Sequence, residues 1–230
     1  MRTVSLVVIS LVLLTSFAFA QDVVPAVSAG SKAVLFDFSG LSFLGAGAYE
    51  GGFGAKYFLS SDLAVRAGVL FANASDKIPA NPGPGQAGTD GERSATQFGV
   101  LGGVEWHPGK GRVSPYMGVG AGISLTSTEH KTAVIAPTVQ TTTKNDANGE
   151  TLNNKTYYGA TALGVYGLVG VEFFLYKELS LGAEYRVGLT SSSKKDEEVS
   201  AGSSTQTTKG GSYTEISIMN TGTITLAVYF

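Results

Sequence analysis

Between Val113 and Thr126 the chain alternates without a break. Val113, Pro115, Met117, Val119, Ala121, Ile123 and Leu125 are apolar, and between them stand Ser114, Tyr116, Gly118, Gly120, Gly122, Ser124 and Thr126. Leu179 to Thr190 repeats the pattern, with Leu179, Leu181, Ala183, Tyr185, Val187 and Leu189 set against Ser180, Gly182, Glu184, Arg186, Gly188 and Thr190. A period of two puts successive side chains on opposite faces of an extended strand, whereas a helix would scatter both sets around its circumference. A chain built this way folds as a sheet with one greasy face and one polar face.

Eight such segments can be read: Lys32 to Leu44, Ala48 to Leu59, Leu63 to Ala72, Ala95 to His107, Val113 to Thr126, Tyr157 to Leu175, Leu179 to Thr190 and Tyr213 to Phe230. Their connections fall into two groups. Ser60 to Asp62, Pro108 to Arg112 and Tyr176 to Glu178 are tight turns, while Asn73 to Ser94, Ser127 to Thr156 and Ser191 to Ser212 are long and polar, after a shorter first one near Gly45 to Gly47. Short and long connections that alternate trim one end of the structure and elaborate the other. An even number of strands brings both termini to the trimmed end. The fold class expected is therefore all-β, an eight-stranded antiparallel transmembrane β-barrel with short periplasmic turns and longer extracellular loops.

Alternation does not say which face is inside, but three features do. The polar face is rich in glycine (Gly118, Gly120, Gly122, Gly182, Gly188), which weakens a strand facing water and suits a lumen where small residues sit beside large ones. Tyr57, Trp106, Phe173 and Phe230 fall on the apolar face at the trimmed ends of the even-numbered strands, the arrangement of an interfacial girdle. The final strand, TITLAVYF, keeps its alternation to Phe230, with Ile224, Leu226 and Val228 on the same face. Only 15% of residues are charged, well under the quarter usual in soluble domains. A soluble lipocalin-like lipid-binding barrel, with the two faces exchanged, is the alternative.

The first residues, MRTVSLVVISLVLLTSFAFA, combine Arg2, an apolar run and Ala18-Phe19-Ala20, which reads as a signal peptide over 1–20 cleaved after Ala20. Residues 21–31 then form a short periplasmic N-terminal segment and 32–230 the barrel. With no cysteine, the exported chain uses neither disulfides nor a lipid-modified cysteine. A formal charge of -2 gives no electrostatic reason to expect nucleic acid.

TITLAVYF resembles the C-terminal assembly signal of outer-membrane barrels, and GVEWHPGKGRVSPYMGVGAGISL resembles the middle hairpin of small eight-stranded barrels of the OmpA-transmembrane-domain and opacity-protein group. The resemblance implies a cell outer membrane location in a Gram-negative bacterium. It implies outer-membrane lipid and lipopolysaccharide as partners and recognition by the outer-membrane assembly machinery through Phe230, Val228 and Leu226. It implies a monomer without cofactor or metal, and a structural or surface-interaction role rather than an enzyme. Nothing follows the eighth strand, so the peptidoglycan-tethering domain of full-length OmpA is not implied.

Parity then places Asp37, Glu50, Lys56, Arg66, Glu105, Glu172, Glu184 and Arg186 in the lumen. An eight-stranded barrel is only wide enough for its own side chains, so these charges are expected to pair with one another. A narrow ion or small-solute channel gated by Arg66 or Arg186 is the functional alternative. For catalysis the sequence offers only His130 with Ser127, three apart and so on opposite faces of a strand, and a solvated loop histidine is the simpler reading. NDANGE, Asn145 to Glu150, lacks the downstream acid of a calcium loop and reads as an Asn/Gly turn. KKDEE, Lys194 to Glu198, reads as a solvated loop.

Overall fold

The structure is a computed structural model. It describes residues 25, 27–39, 48–152, 154–218 and 223–230, without the side chains of 39, 48–51, 213 and 215–218. The signal peptide, the first connection near Gly45 to Gly47 and the side chain of Glu50 lie outside the described residues.

Every described element is extended: β1 (Lys32–Ser39), β2 (Ala48–Phe58), β3 (Leu63–Ile78), β4 (Gly88–Thr89), β5 (Gly91–Trp106), β6 (Val113–Lys131), β7 (Val134–Ile135) and β8 (Thr141–Lys144). These are followed by β9 (Glu150–Leu152), β10 (Lys155–Tyr157), β11 (Ala160–Tyr176), β12 (Leu179–Lys194), β13 (Glu197–Ala201), β14 (Ser204–Thr208), β15 (Ser212–Ile218) and β16 (Thr223–Tyr229).

Antiparallel pairing runs β1-β2-β3-β5-β6-β11-β12, with β15 and β16 together as the eighth strand. The ring closes where β16 pairs with β1, Ala33 opposite Tyr229 and Asp37 opposite Thr225. Beyond that ladder Lys32 and Phe230 exchange both backbone hydrogen bonds, at 3.1 and 2.9 Å. The ring is strongly staggered. Stepping from Asp37 to its neighbours Gly52, Leu70, Gly99, Ser124, Ala162 and Ser192 leads to Tyr213 on the eighth strand, far along the chain from Thr225. That offset tilts the strands, as closure of a barrel requires.

Side chains divide by parity. On β6 the outward Val113, Met117, Val119, Ile123 and Leu125 are exposed, and Ser114, Tyr116 and Thr126 are buried. The same holds on β12, where Leu181, Tyr185, Val187 and Leu189 face out while Ser180, Glu184, Arg186 and Ser192 are buried. A soluble barrel would have the apolar set inside; here the apolar set is the outer surface.

Four of the strands run past the expected ends at the elaborated side. β3 continues to Ile78, β5 begins at Gly91, β6 continues to Lys131 and β12 to Lys194. Segments expected to be loops are thus largely strand. Ser127, Glu129 and Lys131 on one face of β6 alternate with Thr128 and His130 on the other, so both faces are polar and the period carries no hydrophobic signal. A bilayer needs about ten tilted residues per strand, and β6 has 19, so the excess stands clear of it. Beside this rim β8 pairs with β6, β13 with β8 and β14 with β13, extending the sheet outside the barrel. The β9–β10 hairpin turns inward instead, and Leu152 is buried against Ala74 and Ala95 with Tyr157 alongside.

Candidate functional site

At the trimmed end the lumen has an apolar floor. Phe58 and Phe174 are completely buried there with Leu35, Ala33, Ala64, Ala227 and Tyr229, and Val27 packs against them from below. Tyr229 has its ring centroid 5.4 Å from that of Phe174 and 6.2 Å from that of Phe58.

Above the floor the charged residues form one chain of alternating sign. Glu172 receives hydrogen bonds from Ser180 Oγ and, at 2.6 Å, from the Tyr229 phenol. Lys56 Nζ lies 3.6 Å from Glu172 Oε2 and 2.9 Å from Glu105 Oε2. Arg66 Nη1 then joins Glu105 Oε1 at 2.6 Å to Glu184 Oε2 at 2.5 Å, and Arg186 Nε donates to Glu184 Oε1. Asp37 stands 4.0 Å from Arg66 Nη2 and accepts from Thr225 Oγ1 at 2.6 Å. All seven are buried, Glu105 to 0% and Arg186 to 9% exposure. Such pairs cost desolvation, but losing one partner strands a buried charge, so each depends on the others being present.

Aromatic and polar side chains that the charge count passed over complete the packing. Tyr116 donates to Glu184 Oε2 at 3.1 Å and lies under the Lys56 ammonium, 5.1 Å from its ring centroid. His107, expected only beside a turn, is buried, with Nε2 3.1 Å from Glu105 Oε2 and its ring stacked on Tyr116 at 5.2 Å. It shares parity with Glu105, and that signal places it inside. The lumen glycines make room for the tyrosines. A Cβ on Gly170 would lie 2.6 Å from the Tyr116 oxygen, and one on Gly120 would lie 2.5 Å from the Tyr166 oxygen.

On the outside, Val113 to Leu125 of β6 and Leu181 to Leu189 of β12 belong to a continuous apolar band. Tyr57, Trp106 and Phe230 stand exposed at its trimmed edge, and Phe173, under the Arg112 guanidinium at 4.9 Å, is half-buried. The opposite edge carries Phe71 and Phe98, register partners that the sequence reading did not single out. One step further along, Asn73 Nδ2 donates to Thr96 Oγ1 at 3.0 Å, where the polar surface begins. A ring of apolar surface this wide, bounded by aromatics above and below, is matched to hydrocarbon with two interfaces.

A family model described as outer membrane protein beta-barrel domain matches residues 5–226. The chain belongs to the outer-membrane β-barrel family. Among solved structures it is similar to the outer membrane protein OprG from Pseudomonas aeruginosa, at 12% identity and TM-score 0.46, covering 91% of this chain and 99% of that one. It is also similar to a major outer membrane protein from Thermus thermophilus, at 15% identity and TM-score 0.39, covering 87% and 99%. No curated protein matches the chain. The assignment rests on the family model, and with it the protein resides in the cell outer membrane, short turns to the periplasm and long connections outside.

The remaining sequence candidates sit in the extracellular part of this outer-membrane barrel and do not come together. Ser127 and His130 are both on β6, not in a loop: Lys195 Nζ donates to Ser127 Oγ at 2.6 Å, while His130 Nδ1 lies 3.3 Å from the buried Glu150. Asn145 to Glu150 makes a turn with φ of 52° at Asn145 and 76° at Gly149, closed by Asn148 N donating to Asp146 Oδ1 at 2.7 Å. The Lys194 to Glu198 run is stitched to its neighbours rather than freely solvated. Lys194 Nζ donates to the Ala147 carbonyl at 2.9 Å, Glu197 accepts from Ala147 N at 3.1 Å, and Asp196 accepts from Gly210 N at 3.0 Å.

Proposed function

We propose that this barrel is a sealed, monomeric outer-membrane protein whose work is done on its outer side. It holds a folded extracellular sheet against the lipopolysaccharide layer. The observation that supports this is the alternating charge chain over an aromatic floor, from Glu172 through Lys56, Glu105, Arg66 and Glu184 to Arg186. To pass an ion, the barrel would have to separate buried partners at about 3–5 kcal/mol for each broken pair. The strands that outlast the bilayer and the β8-β13-β14 extension give it a surface to present. In this reading Leu226, Val228 and Phe230, all on the lipid side of the last strand, are what the assembly machinery engages.

The test is conductance across planar bilayers after reconstitution of the mature chain. A sealed barrel gives no discrete current steps. Discrete steps in the wild type, altered by Arg186→Ala, would replace this reading with that of a narrow channel.

A further inference from the structure

Above Arg186 the lumen is hollow. Between that side chain and the β9–β10 hairpin lies a cavity of about 410 Å³, a volume typical of small-molecule sites. Its walls carry the hydroxyls of Ser124, Thr190 and Ser192, and Gly164 contributes no side chain where a Cβ would find only ordinary contacts at 3.4 Å.

The floor of this cavity carries two buried donors that the charge chain leaves over. The charge chain begins with a carboxylate, Glu172, whose Oε1 accepts from Ser180 Oγ and from the Tyr229 phenol. It ends with a cation, Arg186, whose ion-pair partner among the described residues, Glu184, is shared with Arg66. Arg186 is nine-tenths buried, and among the described residues its Nη2 has no hydrogen-bond partner; nor does the phenol oxygen of Tyr166, over whose ring the guanidinium sits at 5.2 Å. Both donors border the cavity. Two buried donors without acceptors beside an open volume are costly unless an acceptor arrives.

We propose that this cavity binds a small organic carboxylate. The carboxylate engages the free edge of the Arg186 guanidinium and the Tyr166 phenol, and the body of the ligand lies against the hydroxyls of Thr190 and Ser192. Guanidinium and carboxylate match in planar geometry, which makes this class preferable to a spherical anion. The site does not depend on whether the barrel conducts.

The full-length barrel in lipid nanodiscs is titrated calorimetrically with 4-hydroxybenzoate, with its neutral isostere 4-hydroxybenzamide and with inorganic phosphate. Saturable binding of 4-hydroxybenzoate at one site is expected, with the amide and phosphate weaker by roughly tenfold or more, the worth of a charge-assisted hydrogen bond. Gly164→Leu, which fills the cavity, and Tyr166→Phe, which removes one donor, should each weaken the benzoate by a similar factor while keeping the heat-modifiable gel mobility of a folded barrel. Arg186→Met should abolish binding, and if it does not fold the other two variants decide. No saturable binding, equal binding of the amide or of phosphate, or binding indifferent to Gly164→Leu would overturn the proposal.

Discussion

Tyr116 lies across Gly170, its direct cross-strand neighbour, so closely that a Cβ there would sit 2.6 Å from the phenol oxygen. The same strand pair repeats the relationship in reverse, with Tyr166 of β11 over Gly120 of β6. Glycine in a strand interior is normally a weakness; here each one is covered by an aromatic ring, and the rings reach the lumen centre to meet the charge chain. Gly170→Val is expected to displace Tyr116 from Glu184 and to destabilise the barrel by about 1–3 kcal/mol, the usual cost of overpacking. Urea unfolding in lipid vesicles measures it, and Tyr116→Ala in the same chain should recover part of the loss.

Arg66 reaches three of the described lumen carboxylates, Glu105, Glu184 and Asp37. Arg66→Leu leaves those carboxylates short of a partner and is expected to cost about 3–5 kcal/mol. A double-mutant cycle with Glu184→Gln should show strong coupling, with the pair of changes costing less than the sum of the two. Additive costs would mean that the contact contributes little.

Phe230 and Tyr229 are chain neighbours with opposite surroundings. Phe230 is 72% exposed toward lipid, whereas Tyr229 is buried and bonded to Glu172. Phe230→Asp should slow insertion and assembly, since it puts a charge at the membrane interface, and leave the lumen intact. Tyr229→Ala should allow insertion but lower the stability of what forms, by about 3–5 kcal/mol for a large buried aromatic. Folding kinetics followed by gel mobility, paired with equilibrium unfolding, separate the two effects.

Among the periplasmic turns, Lys110 Nζ lies 2.9 Å from Asp62 Oδ1, and that hydrogen bond holds the Asp62 carboxyl below its ordinary value. A carboxylate with a depressed pKa contributes stability above its unfolded pKa and loses it as the pH falls through the folded one. The pair is solvent-exposed, so the contribution is small and screened by salt. Lys110→Ala should raise the Asp62 pKa toward the ordinary aspartate value in an NMR titration, and leave barrel stability at neutral pH nearly unchanged.

Parity alone carries the membrane-embedded half of the sequence into the structure, because there one face meets hydrocarbon and the other meets packed side chains. That is why parity groups Glu105, Arg66, Glu184 and Arg186 from the sequence. Above the bilayer both faces of each strand meet polar surroundings, so Ser127 to Lys131 of β6 offers no alternation to read. The Thr-rich β8 and β14 are equally silent about pairing. His107 and Tyr116 share the same parity, yet carry no charge at face value, so in the sequence they mark only a turn and a strand. The free edge of Arg186 could not be read at all, since it depends on which side of Glu184 each guanidinium takes.

The whole arrangement depends on Glu105 facing the lumen and its chain neighbour Trp106 facing lipid. Trp106 is the single tryptophan and is 49% exposed on the outer face, so its fluorescence reports that sidedness directly. In vesicles made from lipids brominated at graded depths, its emission should be quenched, most strongly by bromines near the headgroups and least by those at the bilayer centre. Emission indifferent to brominated lipid at every depth would put Trp106 inside the barrel, turn Glu105 outward and contradict the account.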